Sequence, residues 1–354
     1  MMIDYIVVGL GLAGMSFCEQ LHDHDKDFMV VSDDSQTSSL VAGGVYNPVI
    51  LKRFTLAWNA DVQLEIAMPF YKRLEEKLGR QFDHKIPILR KFASIEEQNL
   101  WFEAADKKRL DQFLDTSIIE NRNKAIDAPY GFGKVLHTGR IDVKALIAAY
   151  EAALIEKGNL LKETFRFDAL EVHKDHVEYK TIKAKKIVFA TGFGLKSNTY
   201  FNYLPLHGNK GEVLTIKAPE VKLHSIIKSS VFIIPLGDDL YRIGATYDRT
   251  DKSNAPSSQG SKELSEKLQT FLKCRFEIVD HVAGIRPTVA DRKPLVGVHP
   301  SHDHMFVLNG FGSRGVLIAP TASRLLYNFI ENGQPIPPEM NVNRFSGKFE
   351  PRII

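Results

Sequence analysis

Short apolar runs that break off at glycines punctuate both ends of the chain. Tyr5-Ile6-Val7-Val8 is an unbroken apolar, β-branched run, the pattern of a strand buried on both faces. Gly9-Leu10-Gly11-Leu12-Ala13-Gly14 follows at once. Met15, Phe17, Cys18 and Leu21 then fall on an apolar side of a helix, and Phe28-Met29-Val30-Val31 is a second strand. The same punctuation returns twice. Lys185-Lys186-Ile187-Val188-Phe189 runs into Ala190-Thr191-Gly192. Met305-Phe306-Val307-Leu308-Asn309 runs into Gly310-Phe311-Gly312-Ser313-Arg314-Gly315. Leu317, Ala319, Leu325 and Leu326 predict a helix over 316–330 behind that last turn.

The middle of the chain has other periods. Apolar positions three and four apart predict amphipathic helices over 62–78 and 94–114. Strands are predicted over 211–216, 231–235 and 240–246. Asp251, Ser253, Asn254, Pro256, Ser257, Ser258 and Gly260 make a polar loop, with a helix expected from Ser261.

Composition narrows the class. A hydrophobic share of 44% with 25% charged residues excludes wholesale disorder. The 46 basic and 43 acidic residues leave a formal net charge of +3, too weak by itself for a nucleic-acid coat. Cys18 and Cys274 are too few for a disulfide scaffold and read as buried thiols in a reducing compartment. No apolar run approaches ~18 residues without charge, and no secretory leader precedes the first strand. A soluble, cytoplasmic protein without a membrane span is therefore expected. GxSxG and GxxxxGK[ST] do not occur, which removes esterase and P-loop readings. His22-Asp23-His24-Asp25 and His302-Asp303-His304 fall in predicted loops without distant matching ligands, so no metal site is assigned.

Between a strand and a helix, G-x-G-x-x-G is a dinucleotide signature. Gly9 permits the tight turn, Gly11 lets a pyrophosphate approach the backbone, and Gly14 lets the helix pack closely. The phosphate then meets unpaired N–H groups and the positive end of the helix dipole. An acidic residue is expected ~20 residues on, where it binds a ribose hydroxyl. An ungapped count puts Ser32 there, and a one-residue slip puts Asp33 there; both stay open. The strand ending in Ala190-Thr191-Gly192 looks like the second dinucleotide contact of two-segment flavoproteins. A helix starting behind 310–315 suits the N1–C2=O edge of a reduced flavin.

In this order, several motifs resemble the D-amino-acid oxidase (DAO) superfamily, which includes glycine and sarcosine oxidases. They are Gly9-x-Gly11-x-x-Gly14, Ser39-Leu40-Val41-Ala42-Gly43-Gly44-Val45, Thr138-Gly139-Arg140-Ile141-Asp142 and Ala190-Thr191-Gly192. Gly208-Asn209-Lys210-Gly211-Glu212-Val213, Phe232-Ile233-Ile234-Pro235, Gly244-Ala245-Thr246 and Ala283-Gly284-Ile285-Arg286-Pro287 continue the series up to the 310–315 turn. The resemblance implies an α/β plus α+β fold. A Rossmann-like FAD-binding domain would be assembled from 1–50, 135–205 and 280–354. An inserted antiparallel-sheet substrate domain would come from 51–134 and 206–279. It also implies noncovalent FAD, because neither cysteine stands where sarcosine oxidases attach the flavin. The implied cofactor residues are Gly9, Gly11, Leu12, Ala13 and Gly14, with Ser32 or Asp33, and the loop residues Ser39, Ala42, Gly43 and Gly44. Arg166 joins them at the adenine side through its backbone, with Ala190, Thr191, Gly192, Arg286, Gly310, Gly312, Ser313, Arg314 and Gly315. Gly312-Ser313-Arg314-Gly315, with Arg286, Asp291, Pro294 and Gly297, is similar to the oxidase half of the bacterial bifunctional enzyme that modifies the tRNA wobble uridine.

The implied activity is oxidation of the C–N bond of a small amino acid or N-substituted amine, with hydride passing to flavin N5 and oxygen a candidate acceptor. A substrate carboxylate calls for a bidentate guanidinium in a dry pocket. Arg286 is the first choice for that role and Arg53, in Leu51-Lys52-Arg53-Phe54, the second. Tyr46 and Tyr247 are candidates to line the pocket, and Lys210 reads as a surface salt bridge rather than a flavin neighbour. Two further functions stand behind this one. A tRNA-modification oxidase would be approached over Lys72, Arg73, Lys77, Arg80 and Lys107-Lys108-Arg109. The other is a non-catalytic FAD-binding protein.

Overall fold

A computed structural model describes residues 2–349; Met1 and 350–354, the tail of the 280–354 segment, lie outside the described residues. The chain opens with β1 (Met2–Val8), α1 (Leu12–Asp23), β2 (Phe28–Ser32) and the one-turn α2 (Ser38–Val41). Next come α3 (Ala60–Leu78), β3 (Ile88–Lys91), α4 (Ile95–Ala105), β4 (Leu114–Ile119) and β5 (Phe132–Val135). They are followed by α5 (Val143–Glu156), β6 (Leu160–Lys162), β7 (Leu170–Val172), β8 (Val177–Tyr179) and β9 (Ile182–Phe189). The long β10 (Leu206–Lys217) leads to β11 (Ile226–Lys228), β12 (Phe232–Gly237), β13 (Leu240–Gly244) and α6 (Ser258–Gln269). Last are β14 (Glu277–Val289), β15 (Leu295–His299), β16 (His302–Asn309) and α7 (Gly315–Asn332).

Among the described residues, these strands form two sheets of eight, and shorter strands form a three-stranded and a two-stranded sheet beside them. In the first, β6, β2, β1 and β9 are parallel neighbours in that order. The outer edge of β9 is shared: its first half takes β8 antiparallel, and its second half takes β16 parallel. Tyr5 and Val7 pack with Phe17, Leu21 and Leu317, whereas Ile6 and Val8 pack with Ile187, Phe189 and Phe201. Apolar residues on both faces explain why β1 reads as an unbroken run instead of an alternation.

The second sheet runs β14-β10-β13-β12-β11-β3-β5-β4. Its neighbours are antiparallel apart from β11 and β3, which pair in parallel, so the sheet expected to be antiparallel is mixed. β14 crosses position 280, the expected segment join, and pairs along its length with β10 in this sheet.

Most helices stand close to their expected positions. The helix predicted over 94–114 stops at Ala105. Four residues beyond that end Arg109 takes a left-handed φ of 75°, and Leu110 and Phe113 are buried from a turn rather than from a helix face. His22 lies in α1, and His302 and His304 lie in β16, not in loops. Among the described residues, no helix is long and apolar enough to cross a membrane.

Candidate active site

β1, β9 and β16 run in the same direction, so their carboxyl ends meet at one edge of the first sheet. Each end opens into one of the three glycine turns, at the place where open α/β sheets bind ligands. The turns touch. A Cβ on Gly9, whose φ is +99°, would lie 2.7 Å from the Ala190 carbonyl oxygen. A Cβ on Gly14 would overlap the Gly9 carbonyl, and one on Gly315 would lie 3.1 Å from Leu12 Cδ1. The helices α1 and α7 therefore start side by side.

Gly11 differs from its neighbours: a Cβ there would meet only Ser39, at 3.1 Å from Oγ. No side chain of Gly11 caps α1, and the Leu12 N–H donates to Ser39 Oγ at 3.3 Å. Ala13 continues this first turn. At the end of β2, Ser32 Oγ accepts from the Leu10 N–H at 3.1 Å and so faces the glycine turn. The Asp33 carboxylate turns elsewhere, to Ser35 and to Thr164 Oγ1 at 2.7 Å. Burial pushes its pKa up, but those donors outweigh it and hold it below the usual range. Thr191 Oγ1 is buried without a hydrogen-bond partner, and Gly192 passes through a φ of +55°. An open Gly11, a helix start whose N-cap residue has no side chain, and an orphaned hydroxyl are features that fit a dinucleotide pyrophosphate.

The loop after α2 lies against the second sheet. Gly44 has a φ of +69° and its Cβ position overlaps the Ile141 carbonyl, while a Cβ on Gly43 would lie 2.8 Å from Ile234 Cδ1; Ala42 is exposed. Arg166 is tied up differently from expectation. Its N–H donates to the Tyr179 hydroxyl, its carbonyl accepts from Ala169, and its guanidinium holds Asp168 at 2.6 Å in solvent.

Arg286 stands on β14 opposite Asn209 of β10. Its guanidinium lies back over Gly211, where any Cβ would overlap it. Nη1 donates to the Thr246 carbonyl at 3.3 Å, and among the described residues no carboxylate pairs with it. Burial pushes its pKa down, with Tyr247 pulling the other way. Gly312 N–H donates to the Pro287 carbonyl at 2.9 Å, which joins the 310–315 turn to the strand of Arg286. In that turn Gly310 and Gly312 have φ of 80° and 56°, and Ser313 is exposed. Arg314, at the start of α7, donates to the Asn47 carbonyl at 2.6 Å, and burial pushes its pKa down to about 10.

Other expected residues stand apart. Arg53 is exposed in a turn and is not brought to Arg286. Tyr46 is buried and donates to Asp83 at 2.8 Å. Tyr247 is 60% exposed, with the Arg249 guanidinium 5.5 Å from its ring centre. Lys210 forms a buried ion pair, not a surface one. It is 1% exposed and donates to Asp251 and to the Ala255 carbonyl, both at 2.5 Å. Burial pushes its pKa down, but Asp251 and Glu212 outweigh this and the net direction is up. Lys210 thus fastens the polar loop that begins just after Tyr247.

Four of the seven basic residues expected to attract tRNA have an acidic partner, the longest pair being Lys72 with Glu76 at 4.0 Å. Lys77 lies 2.6 Å from Glu19, Arg109 2.7 Å from Asp61, and Arg73 3.9 Å from Asp23. Two features escaped the sequence reading. His173, His176 and Glu178 gather ligand atoms within 4.8 Å of one another, with Lys183 on the same carboxylate at 2.5 Å. Arg242 lies on the same sheet as Arg286; its signal was a lone charge in Leu240-Tyr241-Arg242-Ile243.

Comparison with known proteins follows these outlines. A glycine oxidase of Bacillus subtilis is 28% identical over 156 residues, 42% of this chain and 42% of that protein. The tRNA 5-methylaminomethyl-2-thiouridine biosynthesis bifunctional protein MnmC of Aromatoleum aromaticum is 27% identical over 173 residues, 43% of this chain and 27% of that protein. The chain thus spans less than half the length of these curated relatives. The crystal structure of glycine oxidase from Geobacillus kaustophilus has a TM-score of 0.78 at 19% identity, covering 94% of this chain and 95% of that one, a likeness of fold. The family model of the DAO, FAD dependent oxidoreductases, matches residues 4–328, and the chain belongs to that family.

Proposed function

We propose that the protein oxidises the C–N bond of a small amine that carries a carboxylate, either an amino acid or an N-substituted one. One observation carries the reading: Arg286 is a half-buried guanidinium with no carboxylate of its own among the described residues, beside the convergent glycine turns. A group in that state costs free energy unless an anion meets it. FAD, when bound, would supply the hydride acceptor for the carbon beside the unprotonated amine nitrogen, so that the amine becomes an iminium, which loses a proton to solvent to give the imine.

The chain's own residues bind and orient. Gly11 and the first turn of α1 would hold the pyrophosphate, and the Thr191 hydroxyl would find its partner there. The Ser32 hydroxyl, turned to the glycine turn, supports Ser32 over Asp33 at the ribose. Arg286 would clamp the substrate carboxylate, its fork held by the Thr246 carbonyl. Arg314 adds a second buried positive charge on the adjoining turn. Tyr247 stands at the mouth.

The unpaired thiols Cys18 and Cys274 support a reducing, cytoplasmic setting. The test is anaerobic flavin bleaching by glycine, sarcosine, D- and L-amino acids and carboxymethylaminomethyl-modified tRNA. A small carboxylated amine should bleach the flavin, and readmitted air should restore it if oxygen is the acceptor. Bleaching by the tRNA alone, or by nothing in the panel, would overturn the reading.

A further inference from the structure

β10 is flanked by β14 on one side and β13 on the other, and the registers fix which side chains share a face. Asn209 lies opposite Arg286 and Gly211 opposite Gly284; Val213 lies between Val282 and Gly244. Thr215 lies opposite Arg242, which in turn faces Ile234 on β12. Alternate residues of a strand point the same way, so Arg286 and Arg242 project from one face of the sheet.

That face is the one the α2 loop crosses. A Cβ on Gly284 would lie 3.2 Å from Ser38 Cα, and Ile234 reaches Gly43. Arg242 itself donates to the Val41 carbonyl at 3.4 Å. Arg242 on β13 comes four residues before Thr246, which lies just past the end of that strand and whose carbonyl holds Arg286. At the rise of an extended chain this is no more than about 13 Å. Gly244 stands between them and adds no side chain to the floor.

Arg242 is poorly used by the protein. Its Nε is buried without a hydrogen-bond partner, and its contact with Val41 is long. Among the described residues no carboxylate forms an ion pair with it. Asp142, one of the acids that act on it from further away, is committed to Arg140 at 3.0 Å and to the Ala145 N–H. Burial, then Arg140, disfavour its charge, and Asp280 and Asp142 only partly offset them. A guanidinium offers five donors, and here one long bond is filled.

We propose that Arg242 forms a second anion subsite, so that the favoured substrate class carries an acidic group at each end. The inference rests on the amine-oxidation reading and sharpens it: Arg286 takes the carboxylate next to the reacting carbon, and Arg242 takes the distal one. Amino dicarboxylates and N-carboxymethyl amino acids have this form.

Binding of dead-end ligands tests the subsite without turnover. Glutarate and butyrate share a chain length per carboxylate arm but differ in the second charge. Their Kd values are read from perturbation of the visible flavin spectrum in the holoprotein. Glutarate should bind roughly ten-fold or more tightly than butyrate. Arg242→Met should abolish that ratio and Arg242→Lys should restore part of it. A wild-type ratio near one, a ratio that survives in Arg242→Met, or loss of FAD from both variants would overturn the proposal; in the last case the guanidinium belongs to the flavin loop. If amines fail to bleach the flavin while the glutarate ratio stands, the oxidation reading fails and the subsite does not.

Discussion

Replacing Arg286 with alanine should separate substrate binding from cofactor binding. The guanidinium lies over Gly211, and the Thr246 carbonyl fixes one of its nitrogens at 3.3 Å. It is thus oriented before any ligand arrives, and little ordering cost is recovered when it is removed. A hydrogen bond to a charged group contributes ~1.5–3 kcal/mol. Both bonds of a fork come from one group and do not add fully, so a loss of about 1.5–3 kcal/mol is the working figure. That is roughly ten- to 150-fold in the ratio of the flavin reduction rate to Kd. Anaerobic stopped-flow reduction of FAD-loaded protein measures it. Arg286→Lys should recover only part, because an ammonium has no planar fork. An amine without a carboxylate should reduce the wild type and the alanine variant at similar, slow rates. Loss of FAD from Arg286→Ala, or unchanged amino-acid oxidation, would refute the assignment and leave Arg314 as the better clamp.

Gly11→Val should abolish flavin retention, since a side chain there crowds Ser39 Oγ, 3.1 Å from the Cβ position, and stands where the pyrophosphate approaches the backbone. Visible flavin absorbance per chain measures this, and a valine variant with stoichiometric FAD would make the turn purely structural. Glu331 accepts from Tyr5, from Lys26 at 2.5 Å and from Lys186 at 2.7 Å. Burial pushes its pKa up, but these donors outweigh it and bring it to about 2. A depressed folded-state pKa contributes stability that is complete above the ordinary glutamate range and fades as pH falls toward that value. Glu331→Gln should therefore lower the denaturant midpoint near neutrality and much less at about pH 3; equal shifts at both would contradict the sign.

The glycine turns were legible because each is a local signal: an apolar run, a glycine that must turn, and a helix start within a dozen residues. What the turns share was not. Nothing near Gly9 announces that the Ala190 carbonyl will sit against it. Lys210 misled for the same reason. A lysine in a glycine-rich stretch reads as exposed, and only the fold brings Asp251 and Ala255 back over it. Arg166 was expected to offer its backbone to adenine, but Tyr179, thirteen positions on, takes the N–H. The over-long helix at 94–114 shows another limit. Leu110 and Phe113 keep helical spacing, yet their burial is served by turns that follow the helix end at Ala105 and pass through a left-handed Arg109. Arg242 was a charge in an apolar strand, a signal present in the sequence and left unweighted.

The shared outer edge of β9 sets a schedule for the newborn chain. Val8 must find Phe189, and Phe189 must in turn find Val307. On a ribosome adding about 5–20 residues per second, β1 waits tens of seconds for its later neighbours. Until β16 emerges, half of β9 presents open N–H and C=O groups, a template for mispairing with other chains. Long-range parallel pairing is also the slowest kind to form. The cradle therefore closes only after the chain has been made as far as the α7 start at Gly315. A ribosome that stalls before His302 leaves a product with α1 in place but no α7 start beside it, a target for chaperones or proteolysis rather than a half-active flavoprotein.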